Sequence, residues 1–296
     1  VTPVLAASPI RWAAGPLRFE LTSDDPGVRT LATAVFRPWA VQDDQESSRA
    51  WRVDRLNGNG IETTWRVRSS AGTDIRVPSA ARAVSAVEYG AVSAIVGSSV
   101  VIVHGALVAW NGRGVLLAGR GEAGKSTLAC ALWTRGAALL GDDVTLLDPS
   151  SSEARPAPRR VSVRAASRAL LGADFFARTM RGPSSVALPD SHMFHPDEIE
   201  PCPRSAAVRL AAIALLSRRG GAAAPACAEP IPAAHALLAL LPYTNLRSGR
   251  TLGDAIRILT PLADRVPAYD LGRGPLADMA SVVEDLVGTR RATERV

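Results

Sequence analysis

The stretch from Gly114 to Thr127 limits the folds open to this chain more than any other. Val115-Leu116-Leu117-Ala118 is an apolar run of strand length, and Leu128-Ala129-Cys130-Ala131-Leu132-Trp133 reads as a helix. Between them Gly119, Gly124, Lys125 and Ser126 fit the pattern G-x-x-x-x-G-K-[ST]. Arg120, Gly121, Glu122 and Ala123 fill the variable positions, and Thr127 follows. A glycine-rich turn can contain a lysine by coincidence. Strand, loop and helix in this order are instead the setting in which backbone N–H groups cradle phosphates. Residues 119–127 are therefore read as a nucleotide-phosphate site.

Lys125 is the only lysine in 296 residues; the other Lys/Arg positions are all arginine. A compact ammonium reaches β- and γ-phosphates inside a tight cradle, where arginine's planar fork would crowd the anion.

The length suits one large domain or two smaller ones. At 47% hydrophobic and 21% charged, the composition is that of a soluble globular protein. A formal charge of +6 calls for an acidic partner, which nucleotide phosphates supply. No basic run is interleaved with aromatics, so nucleic acid is not expected. Cys130, Cys202 and Cys227 are scattered, without C-x-x-C spacing, and fit reduced thiols of a cytoplasmic protein. Val1 to Pro16 does not read as a signal peptide. Ala91 to Trp110 lacks charged residues over about the length of a membrane span. Gly97-Ser98-Ser99 and His104-Gly105 interrupt it, so it reads as a buried helix followed by buried strands, with no membrane partner.

Residues 1–78 read as a small N-terminal α/β lobe and 79–296 as the nucleotide-binding domain. In the lobe, Leu17 to Leu21 alternates as a strand, and Asp24-Asp25-Pro26 opens a helix. Trp51 to Asp54 and Thr64 to Arg68 pair as a hairpin across Asn57-Gly58-Asn59-Gly60. Ser79 to Ser98 reads as a helix and Val100 to Val103 as a strand ended by His104-Gly105. Ala106 to Trp110 reads as a further strand, turned by Asn111-Gly112 into the loop-bearing strand. Arg135-Gly136 stops the loop's helix. Ala137 to Leu140 then reads as a strand parallel to Val115 to Ala118, through a right-handed crossover.

That crossover predicts Gly141-Asp142-Asp143 at the same sheet edge as the loop, where open α/β sheets bind ligands. One carboxylate there can hold Mg2+, and the other can accept a proton from an attacking hydroxyl. Ser150 to Pro158 reads as a loop. Arg159 to Arg164 reads as a strand whose arginines either meet substrate charge or line a solvated face. Gly182 to Pro203, with His192 and His195, reads as an irregular substrate loop; two histidines three apart suit a metal only on a helix. Val208 to Leu216 reads as a core strand closed by Arg218-Arg219-Gly220-Gly221, Ala233 to Leu241 and Leu252 to Leu262 as helices, and Val266 to Leu271 as an edge strand. A last helix spans Met279 to Val287, and the charged tail from Gly288 frays.

With His104-Gly105, the 119–127 loop and Gly141-Asp142-Asp143 in place, the spacing resembles the HPr kinase/phosphorylase family. The Gly-Asp-Asp step is also similar to that of ATP-dependent phosphoenolpyruvate carboxykinases, which share the nucleotide-binding fold. The resemblance covers about Val100 to Val163. It implies an α/β fold with a P-loop core of that type, ATP and Mg2+ as cofactors, and Lys125 and Ser126 as phosphate and Mg2+ contacts. It further implies Asp142 as general base, Asp143 as the metal-side carboxylate, and His104 as a nearby active-site residue. After the acidic pair the chain departs from the family, reading Arg155 to Arg164 where HPr kinases carry a glycine-rich E-[IL]-R-G-x-G. The resemblance is thus closer to divergent HPr-kinase-like proteins, some of which accompany peptide natural-product pathways, including lasso peptides. It implies a kinase acting on a hydroxyl, serine of a precursor peptide or small protein, with a small-molecule hydroxyl as the rival acceptor. A nucleotide-binding regulatory protein with little turnover is the alternative from another class, and the sequence leaves the oligomeric state open.

Overall fold

The computed structural model describes residues 8–14, 16–42, 45–57, 63–96, 101–200, 207–220, 224–245 and 251–288. The chain is a mixed α/β protein that divides into two units. Unit 1 holds residues 1–98 and takes in Pro158–Arg160; unit 2 holds the rest.

Unit 1 is a five-stranded sheet in sequential order with two helices. Strands β1 (Ile10–Ala14) and β2 (Leu17–Ser23) pair antiparallel. The Asp25 carboxylate then accepts the Val28 N–H at 2.8 Å and caps α1 (Pro26–Phe36), whose first residue is the expected proline. Strand β3 (Arg49–Asn57) runs parallel to β2 and forms the expected hairpin with β4 (Thr63–Ser69), in register from Asn57 opposite Thr63. Residues 58–62, the rest of its turn, lie outside the described residues. Strand β5 (Asp74–Val77) completes the sheet, and α2 (Ala80–Val96) belongs to this unit, so the unit extends past residue 78. Trp12 stacks on Phe36 with ring centroids 3.8 Å apart, and Phe19 and Trp51 close the aromatic core. Arg160 and Glu88 are also fully buried here. The Arg160 guanidinium donates to both Glu88 oxygens and to Ser85 Oγ, and its backbone N–H donates to Glu88 Oε1. Arg159 lies over the Tyr89 ring. Neither arginine lines a solvated strand face.

Unit 2 begins with β6 (Val101–Trp110), one continuous strand through His104-Gly105. Two strands separated at that glycine were expected. Gly105 stays in the sheet because a Cβ there would lie 2.9 Å from Leu116 Cδ1 and from Leu117 O, so only glycine lets the neighbouring strand approach this closely. Gly105→Ala is accordingly expected to cost about 1–3 kcal/mol by overpacking. A lowered urea midpoint at unchanged slope checks this, and an unchanged midpoint contradicts it. Residues 97–100, including the expected Gly97-Ser98-Ser99 break, lie outside the described residues. Among the described residues no helix is long and apolar enough to cross a membrane.

Asn111 (φ 50°) and Gly112 (φ 76°) make the left-handed two-residue turn into β7 (Arg113–Gly119), antiparallel to β6. Helix α3 (Lys125–Thr134) follows, ended by Gly136 at φ 97°. Strands β8 (Ala138–Gly141) and β9 (Val144–Asp148) both pair antiparallel with β6. Strand β8 therefore runs parallel to β7, as the crossover predicts, but β6 lies between them. Strand β10 (Glu153–Pro156) occupies the expected Ser150–Pro158 loop and pairs with β9.

A separate three-stranded sheet is made by β11 (Val161–Arg164), β12 (Val186–Ala187) and β13 (Ser191–Phe194), with the short helices α4 (Arg168–Leu171) and α5 (Ala173–Thr179) between β11 and β12. The expected irregular loop over 182–203 is corrected by this. His192 sits inside β13, stacked on Phe194 and bonded through Nε2 to Thr179 Oγ1 at 2.8 Å. Burial depresses its pKa, helped by the Arg168 charge. His195 is fully buried, 3.9 Å from Asp197. Both histidine side chains are thus buried in the core beside this small sheet. Residues 201–203 lie outside the described residues.

Strand β14 (Val208–Gly220) pairs parallel with β7 and is followed by β15 (Ala228–Ile231), α6 (Ala233–Leu240), β16 (Thr244–Asn245), α7 (Leu252–Arg265), β17 (Ala268–Arg273) and α8 (Leu276–Gly288). The main sheet reads β10-β9-β6-β7-β14-β17-β15, and β10 also pairs with β14. Strand β17 is thus interior, with β15 outside it; Pro267 precedes the strand and removes no ladder bond within it. Residues 221–223 and 289–296, where a closing glycine and a frayed tail were expected, lie outside the described residues. Helices α3 and α8 pack on one face around Leu117, Leu132 and Val283, and α6 and α7 on the other around Leu116, Leu240 and Leu259.

Candidate active site

Strand β7 delivers the glycine loop at its carboxyl end, and α3 starts at Lys125 with Gly124 as its left-handed cap at φ 97°. Gly119, at φ 153°, approaches β14 so closely that a Cβ would lie 3.0 Å from Leu216 O. Glu122 is a non-glycine residue held at φ 65°, and its carboxylate pairs with Arg164 of β11, which restrains a strained position. The first-turn N–H groups of α3 open toward this loop, with the positive end of the helix dipole behind them.

Lys125 folds back over the loop. Its ammonium donates to Gly119 O at 2.9 Å and Arg120 O at 3.0 Å. Burial lowers its pKa, while Asp143 and then Asp142 act in the opposite sense. Below the folded pKa the ammonium is charged in both folded and unfolded chains, so its desolvation opposes folding there. The penalty fades as pH rises through the folded pKa toward the unfolded one. Lys125→Ala is therefore expected to leave the melting temperature unchanged or raised at neutral pH, a result thermal denaturation checks.

The sheet register sets the acidic pair beside the loop. Gly105 pairs with Ala118 on one side and donates its N–H to Asp143 O at 2.9 Å on the other. Ala118, Gly105 and Asp143 thus form one row, spanning two strand spacings, about 10 Å. As expected, β8 ends at Gly141, and the pair forms the two-residue bend that leads into β9 at Val144. The two carboxylates differ. Asp142 is 3% exposed, with Oδ2 accepting the Ser162 N–H at 3.1 Å, whereas the Asp143 side chain is 44% exposed.

His104, also 44% exposed at its side chain, lies with Nδ1 4.0 Å from Asp143 Oδ1. Asn245 of β16 places Nδ2 2.9 Å from His104 Nε2. An amide N–H at that distance donates, which puts the ring proton on Nδ1, facing Asp143. Ser126 is half-buried at the helix start. Thr127 is turned inward, its hydroxyl 2.8 Å from Ser167 Oγ. The structure gathers Lys125, Ser126, Asp142, Asp143 and His104 at one end of the sheet and leaves His192 and His195 in the small sheet. Arg164, one of the arginines expected to meet charge or solvent, pairs with Glu122 of the loop, whereas Asn245 and Ser162 join the site without a sequence signal, each being a lone polar residue in its segment.

An ion has partial fittings here. Among the described residues no three His, Cys, Asp or Glu side chains gather to hold a metal by themselves. An exposed carboxylate and a hydroxyl beside a phosphate cradle suit Mg2+, which takes most of its ligands from phosphate and water. Cys130 is buried, which pushes its thiol pKa well up; Cys227 is exposed, and both are free. Cys202 lies outside the described residues.

No family model matches the chain, and no curated protein matches it. Among solved structures it is similar to the HPr(Ser) kinase/phosphatase from Coxiella burnetii, at 17% identity, over 66% of this chain and 92% of that one, with a TM-score of 0.32. A likeness that loose leaves the chemistry of this chain to its own site.

Proposed function

We propose that the chain is an ATP- and Mg2+-dependent kinase that transfers the γ-phosphoryl group to a hydroxyl, serine on a peptide or small protein. The observation that carries this reading is the single lysine of the chain, folded into a glycine loop at a helix start, with Asp143 and Asp142 both acting on its ammonium. A phosphate cradle alone only binds. An acidic pair set against its lysine adds a place for charge and a proton acceptor where the terminal phosphate would lie.

Phosphates entering the loop draw the Lys125 ammonium off the Gly119 and Arg120 carbonyls and onto their oxygens, aided by the first N–H groups of α3. Ser126 and Asp143 would hold Mg2+, which spreads the phosphate charge when bound. Asp142 accepts the proton of the attacking hydroxyl. Its Ser162 hydrogen bond fixes the carboxylate, and its burial keeps competing water away. His104, held by Asn245, orients Asp143.

The test is γ-labelled ATP with Mg2+ against serine peptides and hydroxylated metabolites, read by mass spectrometry. Label on a peptide serine supports the reading. Label only on metabolites makes this a small-molecule kinase. Nucleotide binding with no labelled acceptor in either set favours a regulatory nucleotide binder.

A further inference from the structure

A cavity of about 420 Å³ opens on the side of the loop away from the acidic pair. Its near wall is the loop itself, residues 119–123, and its far end is the carboxyl end of β17. Leu216 pairs with Gly119 on one side and with Leu271 on the other, so Asp270 and Arg273 lie about two strand spacings, ~10 Å, from the loop. Asp143 lies about as far from the loop in the opposite direction, across β6. Acidic pair, phosphate loop and cavity therefore follow one another along the end of the sheet.

Resting on the kinase reading above, we propose that this cavity takes the nucleoside half of a purine nucleotide. A polyphosphate in the loop has two ends. The acidic pair and the Lys125 ammonium mark the end where a phosphoryl group leaves, so the other end, with its sugar and base, runs toward β14 and β17. The cavity has the chemistry for that cargo. Leu215, Ile231, Ala239 and the Tyr243 ring give apolar walls for a flat base. Asp270 and Arg273 set an acceptor and a donor at the far end, matching a purine's exocyclic amine and ring nitrogens or the ribose hydroxyls. The volume falls within the roughly 300–1,000 Å³ of small-molecule sites.

The experiment titrates ATP and inorganic tripolyphosphate, each with Mg2+, into the full chain and its variants by calorimetry. The wild type is expected to bind ATP at least about tenfold more tightly than tripolyphosphate, the difference being the nucleoside contact. Ala239→Trp fills the cavity and should erase that difference while leaving tripolyphosphate affinity unchanged. Should Ala239→Trp fail to fold, Asp270→Ala carries the same comparison. Equal affinity of the wild type for the two ligands overturns the nucleoside assignment and leaves the loop reading standing. An ATP preference that survives both substitutions overturns it too. So does a variant that keeps ATP affinity but needs more acceptor, since the cavity then belongs to the acceptor. A wild type that binds neither ligand removes the loop reading and this one together.

Discussion

Asp142→Asn is expected to lower phosphoryl transfer by about 10²–10⁴-fold with ATP affinity largely kept. The substitution preserves shape, and the amide oxygen can still accept the Ser162 N–H that holds the position at 3.1 Å, so the bend between β8 and β9 keeps its path. What is lost is the capacity to take a proton. Asp143→Asn is a different lesion. Its carboxylate is the exposed one, beside His104, and its loss should raise the Mg2+ concentration needed for turnover. The two variants are separated by measuring kcat at saturating Mg2+. If Asp143→Asn abolishes turnover there while Asp142→Asn does not, the base is the exposed carboxylate. Two silent variants would leave the pair without a part in the chemistry.

The largest stability effect is expected in unit 1, from Glu88→Ala. Arg160 and Glu88 are 0% and 2% exposed, and the guanidinium meets both carboxylate oxygens. Removing the carboxylate leaves a buried, uncompensated guanidinium, which costs about 3–5 kcal/mol. Replacing both partners by methionine should recover most of that loss, because the pair itself contributes little net stability once its desolvation is counted. Urea denaturation of the single and double variants checks this. A Glu88→Ala protein as stable as the wild type would mean that the arginine finds water or another acceptor.

Much of this architecture was legible where a single residue type has one physical reason to be present. Asp25-Pro26 caps α1, Asn111-Gly112 makes the left-handed hairpin turn, and Gly136 stops α3 in the conformation that glycine favours. The loop and the acidic pair were legible for the same reason, since their spacing fixes a strand, a helix and a second strand parallel to the first. The misreadings came from tertiary context. Gly105 looks like a strand end until Leu116 and Leu117 are set against it. The Ser-His-Met-Phe run of β13 is too short and too polar to announce a buried strand, which needs Val161 and Val163 of β11 and the aromatic rings around His192 to make sense. Pro267 suggested an edge, but it precedes β17 and leaves the interior ladder whole. Asn245 could not be found from sequence, because it reaches His104 only after the chain has crossed from α6 to pair with β6.

The central claim is that the 119–127 loop binds nucleotide phosphates through its lone lysine, and calorimetry of ATP with Mg2+ on wild type, Lys125→Ala and Lys125→Arg tests it most directly. The account predicts binding to the wild type and a loss of about tenfold to a hundredfold in both variants, the worth of a charged hydrogen bond, with a melting temperature of Lys125→Ala no lower than wild type. Arginine should fail as alanine does, since its fork does not fit where the ammonium now meets Gly119 O and Arg120 O. Folded variants that bind ATP as tightly as the wild type would contradict the claim.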